Sequence, residues 1–274
     1  MNDNSRQVDT ERLRELAKLR VVLEIPGMQQ VQVRRDVTYR THGGDNLGMD
    51  VYYPPNADTR LPAVIFIAGY SDIGAMALVG FKLKDMGCYV SWAQLVGASG
   101  LVGITYSSAT PPEDAQAVLR FVRENAAELN VDPTRIGIWA ASGNGPTALS
   151  LLMSAEARLR CAVMCNTYML DLVGDSTVSE MSKNFRFAAP NDGKTVADLD
   201  AGTPMFVVRS GLDEVPGLNG TLDRFVTSAV ELNRPLTLVN LPEAPHSFDT
   251  LHDTDESRLV VTQILAFMRS HLTS

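Results

Sequence analysis

Chemistry enters this sequence most clearly at DPTRIGIWAASGNGP, residues 132–146, where a serine stands between a strand-like run and a helix start. Ile136 to Ala140 read as a buried strand, small residues surround Ser142, and Pro146 falls in what should be the first turn of a helix. A turn this tight lifts the Ser142 hydroxyl clear of the backbone and aims the helix N-terminal N–H groups at the reacting oxygen, provided the flanking side chains are small. Ala140 and Gly143 meet that demand. Asn144 stands where glycine is usual in G-x-S-x-G, with Gly145 one place later, so a wider helix-to-strand contact is expected. The plain alternative is an ordinary serine at a helix N-terminus. Ser71, in GYSDIG at 69–74, also follows a strand-like run but lacks small residues at the right offset after it.

A serine hydroxyl is a weak nucleophile at neutral pH and needs a base within hydrogen-bond reach, itself oriented by an acid. His246, in LPEAPHSFD at 241–249, directly follows the last strand-like run, where loops of open α/β sheets assemble sites, and His252 is a second candidate in the same loop. The acid is expected after the penultimate strand, where RSGLDEVP at 209–216 places Asp213 with Glu214 beside it. An aspartate in such a turn is most often only a turn former, but the order Ser142, Asp213, His246, each after its own strand, ties the three together. Two backbone N–H groups must also hold a tetrahedral oxyanion: one from Gly143, the other from Gly69 or Tyr70 after the run PAVIFIAG.

The elements that must position these residues follow from hydrophobic period. VQVRRDVTYR alternates from residue 31, HGGDN supplies turn residues, and LGMDVYYPP returns as a second strand, giving an antiparallel hairpin. Thereafter come short continuous apolar runs at 62–69, 101–106, 135–140, 161–165, 204–209 and 235–240, with helical patterns at 113–129, 146–157, 222–232 and 257–272. Runs buried on both faces and separated by helices mark parallel strands in βαβ units, so the fold class is α/β: three layers, a mostly parallel sheet opened by a hairpin. Residues 166–203 break the alternation and hold Tyr168, Met169, Met181, Phe185 and Phe187 among polar residues, which reads as a lid or cap insertion. An N-terminal extension, 1–30, carries Val8, Leu13, Leu16 and Leu19 at near-helical spacing, with Asp9 or Thr10 as N-cap; its apolar stripe is expected to pack on its own domain, with a dimerisation or membrane-docking arm as the alternative. No linker divides residues 1–274, so one domain is expected.

The chain resembles an α/β-hydrolase of the carboxylesterase and dienelactone-hydrolase-like group over most of residues 31–272. LGMDVYYP is similar to the L-x-L-D-V-Y-x-P strand of these esterases, PAVIFIAGY to their strand into H-G-G-G, DPTRIGIWAASGNG to their D-P-x-R-I-x-x-x-G-x-S-x-G, and PHSFD to their G-x-x-H-x-F. Ala68 replaces the His of H-G-G-G, Asn144 a glycine of the elbow, and Pro245 precedes the histidine. The resemblance implies that His246 takes the Ser142 proton as the hydroxyl attacks an ester carbonyl, that Asp213 holds the imidazole tautomer, and that no metal or organic cofactor takes part; the aromatic and Met side chains of 166–203 suggest an apolar pocket, and esters of small to medium size are expected. Lactone or amide hydrolysis, acyl transfer, and ligand binding without catalysis are the alternatives on this fold.

Composition excludes other classes. With 24 Lys+Arg against 32 Asp+Glu the net charge is −8, the wrong sign for a nucleic-acid partner. Three cysteines, Cys88, Cys161 and Cys165, cannot all pair, and four scattered histidines have no metal-ligand spacing. No stretch reaches roughly 18 uninterrupted apolar residues, and the first twenty residues have no apolar targeting core, so a cytoplasmic protein without a membrane span is expected. A homo-oligomer is compatible with the sequence, and the partner expected is a small-molecule ester.

Overall fold

The computed structural model describes residues 10–55, 59–172 and 174–273; Val8 and Asp9 lie outside the described residues. The chain opens with helix α1 (Thr10–Lys18), then pairs β1 (Gln32–His42) with β2 (Asp45–Tyr53) in the expected hairpin. Gly43 and Gly44, both at positive φ, make the turn. The chain continues through β3 (Leu61–Phe66), α2 (Asp72–Val79), α3 (Gly87–Ala98), β4 (Val102–Tyr106), α4 (Pro111–Glu124) and β5 (Val131–Ser142). There follow α5 (Gly145–Leu152), β6 (Ala162–Thr167), α6 (Thr177–Phe185), β7 (Met205–Leu212), α7 (Leu218–Glu231), β8 (Leu236–Pro245), α8 (Phe248–Leu251) and α9 (Asp255–Leu272).

These strands form one eight-stranded sheet in the order β1-β2-β4-β3-β5-β6-β7-β8, antiparallel at β1, β2 and β4 and parallel from β4 onward. Strands β4 and β6 are buried at every residue, which requires helices on both faces, whereas β1 and β8 at the sheet edges stay half exposed. The apolar runs thus take the central positions and the alternating ones the rim.

An aromatic cluster lies beneath the β5–α5 turn. Trp139, three residues before Ser142, packs its ring against Phe66 of β3 and Trp92 and Tyr89 of α3, with centroids 5.4, 5.5 and 5.9 Å away. Two ion networks brace the hairpin. Buried Asp50 of β2 meets Lys84 at 3.1 Å, and buried Asp114 of α4 meets Arg40 at 2.7 Å while accepting the N–H groups of Ala109 and Thr110. Both acids are structural.

One boundary differs from the sequence reading. Residues 166 and 167 belong to β6, with Thr167 paired to Ser142, so the inserted segment begins after them. That segment folds as α6, a short 3-10 turn and extended chain, and its Tyr168, Val178 and Phe187 form a small core together with Leu218 of α7. Asp171 fixes it by accepting the Val178 and Ser179 N–H groups at the first turn of α6.

Candidate active site

Ser142 terminates β5 in the left-handed region, at φ 56°, a conformation that a non-glycine residue holds only when its surroundings impose it. Those surroundings are explicit. The Ser142 carbonyl accepts from Thr167 Oγ1 at 2.5 Å and from the Tyr168 N–H at 3.1 Å, and the Asn144 N–H and Nδ2 both donate to the Ala141 carbonyl, at 3.1 and 2.6 Å. The elbow contact is not widened by Asn144. Gly145 takes over the close approach: a Cβ there would collide with Thr167 Oγ1 and the Tyr168 carbonyl, so glycine is required one position later than usual.

Each of the other two residues reaches Ser142 from the end of its own strand. Asp213 follows β7; its Oδ1 accepts the Val215 N–H at 2.9 Å, which fixes the carboxylate, and its Oδ2 lies 2.7 Å from His246 Nδ1. Its side chain is wholly buried while that of His246 is 25% exposed, so the acid is shielded and the base is reachable. His246 follows β8, held between Ala244 and Phe248, both fully buried, and its Nε2 lies 3.0 Å from Ser142 Oγ. The structure therefore brings Ser142, His246 and Asp213 into one hydrogen-bonded chain.

The competing candidates go elsewhere. Ser71 caps α2, its Oγ accepting the Gly74 N–H at 3.1 Å. His252 meets Ser257 Oγ at 2.9 Å at the start of α9, and Glu214 points to solvent beside Asp213.

In the loop after β3 the two oxyanion candidates, Gly69 and Tyr70, have different surroundings. The Gly69 N–H is engaged by Asn144 Oδ1 at 2.6 Å, and Gly69 lies so close to the elbow that a Cβ would sit 2.7 Å from Asn144 Cα. Gly69 is the close packing point between loop and elbow. The side chain of Asn144 reaches back to the loop as a glycine could not. Tyr70 stands over Gly143, leaving no room for a Cβ there, and burial pushes its phenol pKa up, so the ring stays neutral.

Asn166 is a neighbour that sequence reasoning missed. It is the penultimate residue of β6, at φ 34° and almost wholly buried, with Nδ2 3.4 Å from His246 Nδ1 and an Oδ1 that has no protein partner. Its only sequence signal is a polar residue closing an apolar strand. Asp249 is a second: buried, it accepts the Trp92 Nε1–H at 2.7 Å, and burial raises its carboxyl pKa.

A cavity of about 430 Å3 opens over Ser142 and His246, a size suited to a small organic ligand. Tyr168, Phe185 and Val215 line one part of it, and Leu13, Leu16 and Ala17 of α1 another. Leu13 and Leu16 of the N-terminal stripe thus face the cavity, while Leu19 is exposed. Cys88 also lines the cavity, but burial raises its thiol pKa to about 12, so the protonated form persists; Cys161 and Cys165 lie in the core, and all three thiols are free. Among the described residues no group of three or more His, Cys, Asp or Glu side chains is arranged to hold a metal ion, and no helix is long and apolar enough to cross a membrane.

A mostly parallel eight-stranded sheet opened by an antiparallel hairpin, with a serine elbow after β5 and a histidine loop after β8, defines the α/β-hydrolase fold. Solved structures share it: one of two fungal esterases from Rhizomucor miehei superposes with a TM-score of 0.72 at 18% identity, covering 97% of this chain and 92% of that one. A bacterial heroin esterase superposes with a TM-score of 0.71 at 14% identity, covering 92% and 88%. Residues 49–201 match the BD-FAE family, and the chain belongs to that family. It is also similar to the carboxylesterase NlhH of Mycobacterium tuberculosis, 35% identical over 130 residues, 43% of this chain; the chain spans 38% of the length of that curated relative.

Proposed function

We propose that the protein hydrolyses carboxylic esters of small to medium size through an acyl-enzyme on Ser142. The observation that carries this reading is the unbroken chain from Ser142 Oγ to His246 Nε2, 3.0 Å, and from His246 Nδ1 to Asp213 Oδ2, 2.7 Å. With Asp213 ionised, Nδ1 keeps its proton and Nε2 presents a lone pair to the hydroxyl, the tautomer a general base needs. As Oγ attacks the ester carbonyl, its proton passes to Nε2 and the carbonyl π electrons move onto oxygen. The N–H groups of Gly143 and Tyr70 are assigned to that oxyanion, because Asn144 already engages Gly69. Collapse expels the alcohol, which takes the proton from Nε2; water then enters by the same base and releases the acid. Asp213 stays ionised throughout and stabilises the imidazolium.

The similarity to a carboxylesterase over 130 residues supports an ester over an amide. Three free thiols suit a reducing compartment, and the cytoplasm is the location proposed. The test is turnover of p-nitrophenyl acyl esters: wild type should hydrolyse them, and Ser142→Ala should reduce kcat by roughly four to six orders of magnitude without changing the circular dichroism spectrum. Full turnover by Ser142→Ala would falsify the assignment.

A further inference from the structure

One wall of the cavity comes from outside the sheet and its crossover helices. Leu13, Leu16 and Ala17 recur at i, i+3 and i+4, so they share one face of α1, and all three line the cavity that holds Ser142. The charged side chains of Glu11, Arg14, Glu15 and Lys18 lie on the exposed side of the same helix. Leu13 and Leu16 are half-buried, so the apolar face of α1 is only part covered by protein. The rest of that wall is apolar too, built by Leu78, Val79 and Met86.

Helix α1 and the strap of chain that follows it are seated on α2 and α3. A Cβ at Gly87, the first residue of α3, would collide with the Lys18 carbonyl, so the chain leaving α1 lies directly on α3. A Cβ at Gly80 would come within 2.9 Å of Arg14 Cγ, which seats α1 against the end of α2. Past the helix, Arg20 meets Gln94 at 2.6 Å, the Val21 N–H donates to Ser91 Oγ at 2.9 Å, and the Val22 N–H donates to the Asp249 carbonyl at 2.8 Å. Asp249 lies three residues beyond His246. The last bond therefore fixes the wall relative to the base that would act on the substrate.

We propose that α1 is the specificity wall of the site: Leu13, Leu16 and Ala17 form the subsite for an apolar alkyl or aryl group of the ester, and side-chain volume there sets the longest group accepted. This rests on the assignment of Ser142 as nucleophile. Burying each further methylene against that face should raise kcat/KM roughly fourfold until the cavity is full. The substrate class is an ester carrying a medium apolar group on the side that meets α1, in place of an ester of two small groups or a long-chain lipid.

The test uses the full chain and two ester series, p-nitrophenyl alkanoates from acetate to palmitate and alkyl acetates from methyl to octyl. Leu13→Trp and Leu16→Trp should lower the long-to-short ratio of kcat/KM by about tenfold or more in one of the series, and Leu16→Ala should move the optimum to longer groups. Leu19→Trp, at an exposed position just past the helix, should leave the ratio at the wild-type value. Should the tryptophan variants melt early, Leu16→Ala carries the test, because its shift has the opposite sign. Ratios within about twofold of wild type in both series, from folded variants of an active enzyme, overturn the specificity wall alone. A wild-type protein that turns over no ester overturns the Ser142 reading, and this proposal with it.

Discussion

The floor and the walls of the cavity are built by different means. On the floor, Ser142, Asp213 and His246 stand at the ends of β5, β7 and β8, strands anchored by the buried core, and backbone geometry decides where each side chain points. The walls are α1 and the inserted segment around α6, held by a strap of a few hydrogen bonds and by a small separate core of Tyr168, Val178, Phe187 and Leu218. A floor of this kind tolerates almost no change in atom position, while walls of this kind can change volume without moving the reacting groups. Chemistry and selectivity are thereby separable on one fold.

Substitutions can break that separation, beginning with the floor. Asp213→Asn should keep the shape of the site but allow the wrong imidazole tautomer, reducing kcat by about 10⁴ with little change in KM, as measured by steady-state kinetics. Retained turnover would show that the carboxylate does not act through His246. Gly145→Ala introduces a Cβ into the Thr167 and Tyr168 contact, and should cost about 1–3 kcal/mol of stability in urea unfolding together with a loss of activity as Ser142 is displaced.

The walls should respond less. Tyr168 donates its hydroxyl to the Pro216 carbonyl at 2.6 Å, and Tyr168→Phe should lower stability by about 0.5–1.5 kcal/mol, read as the shift in urea midpoint. The smallest effect expected is on pH dependence. An Asp in the unfolded chain ionises in the ordinary carboxylate range, whereas burial holds Asp249 above it. Between the two values the folded state binds more protons, so this residue makes stability fall as pH rises through that window. Asp249→Asn, which can still accept from Trp92, should flatten the slope of urea midpoint against pH; an unchanged slope would assign it to other groups.

The same contrast governs what could be read from the sequence. The three residues of the floor are each marked locally: a strand-like run into small residues and Pro146, an acid turn after VVR, a histidine just past LTLVN. The hairpin and the six later strands are equally plain because their apolar runs are short and bounded by turn residues. What escaped has non-local causes. Helix α3 gave no amphipathic stripe because Tyr89, Trp92, Ala93, Leu95 and Val96 bury most of its circumference, and α2 is apolar along most of its length. The engagement of the Gly69 N–H was not legible because its partner, Asn144, lies 75 residues further along the chain. The role of Leu13 and Leu16 depends on a cavity assembled from α2, α3 and the histidine loop, and no local pattern encodes that.

The central claim is that Ser142 is an activated nucleophile, and covalent capture tests it most directly. Treatment with a fluorophosphonate followed by peptide mass spectrometry should place a single phosphonyl adduct on Ser142, with labelling abolished in Ser142→Ala and strongly slowed in Asp213→Asn. An unlabelled protein, or an adduct on Ser71 instead, would contradict the account.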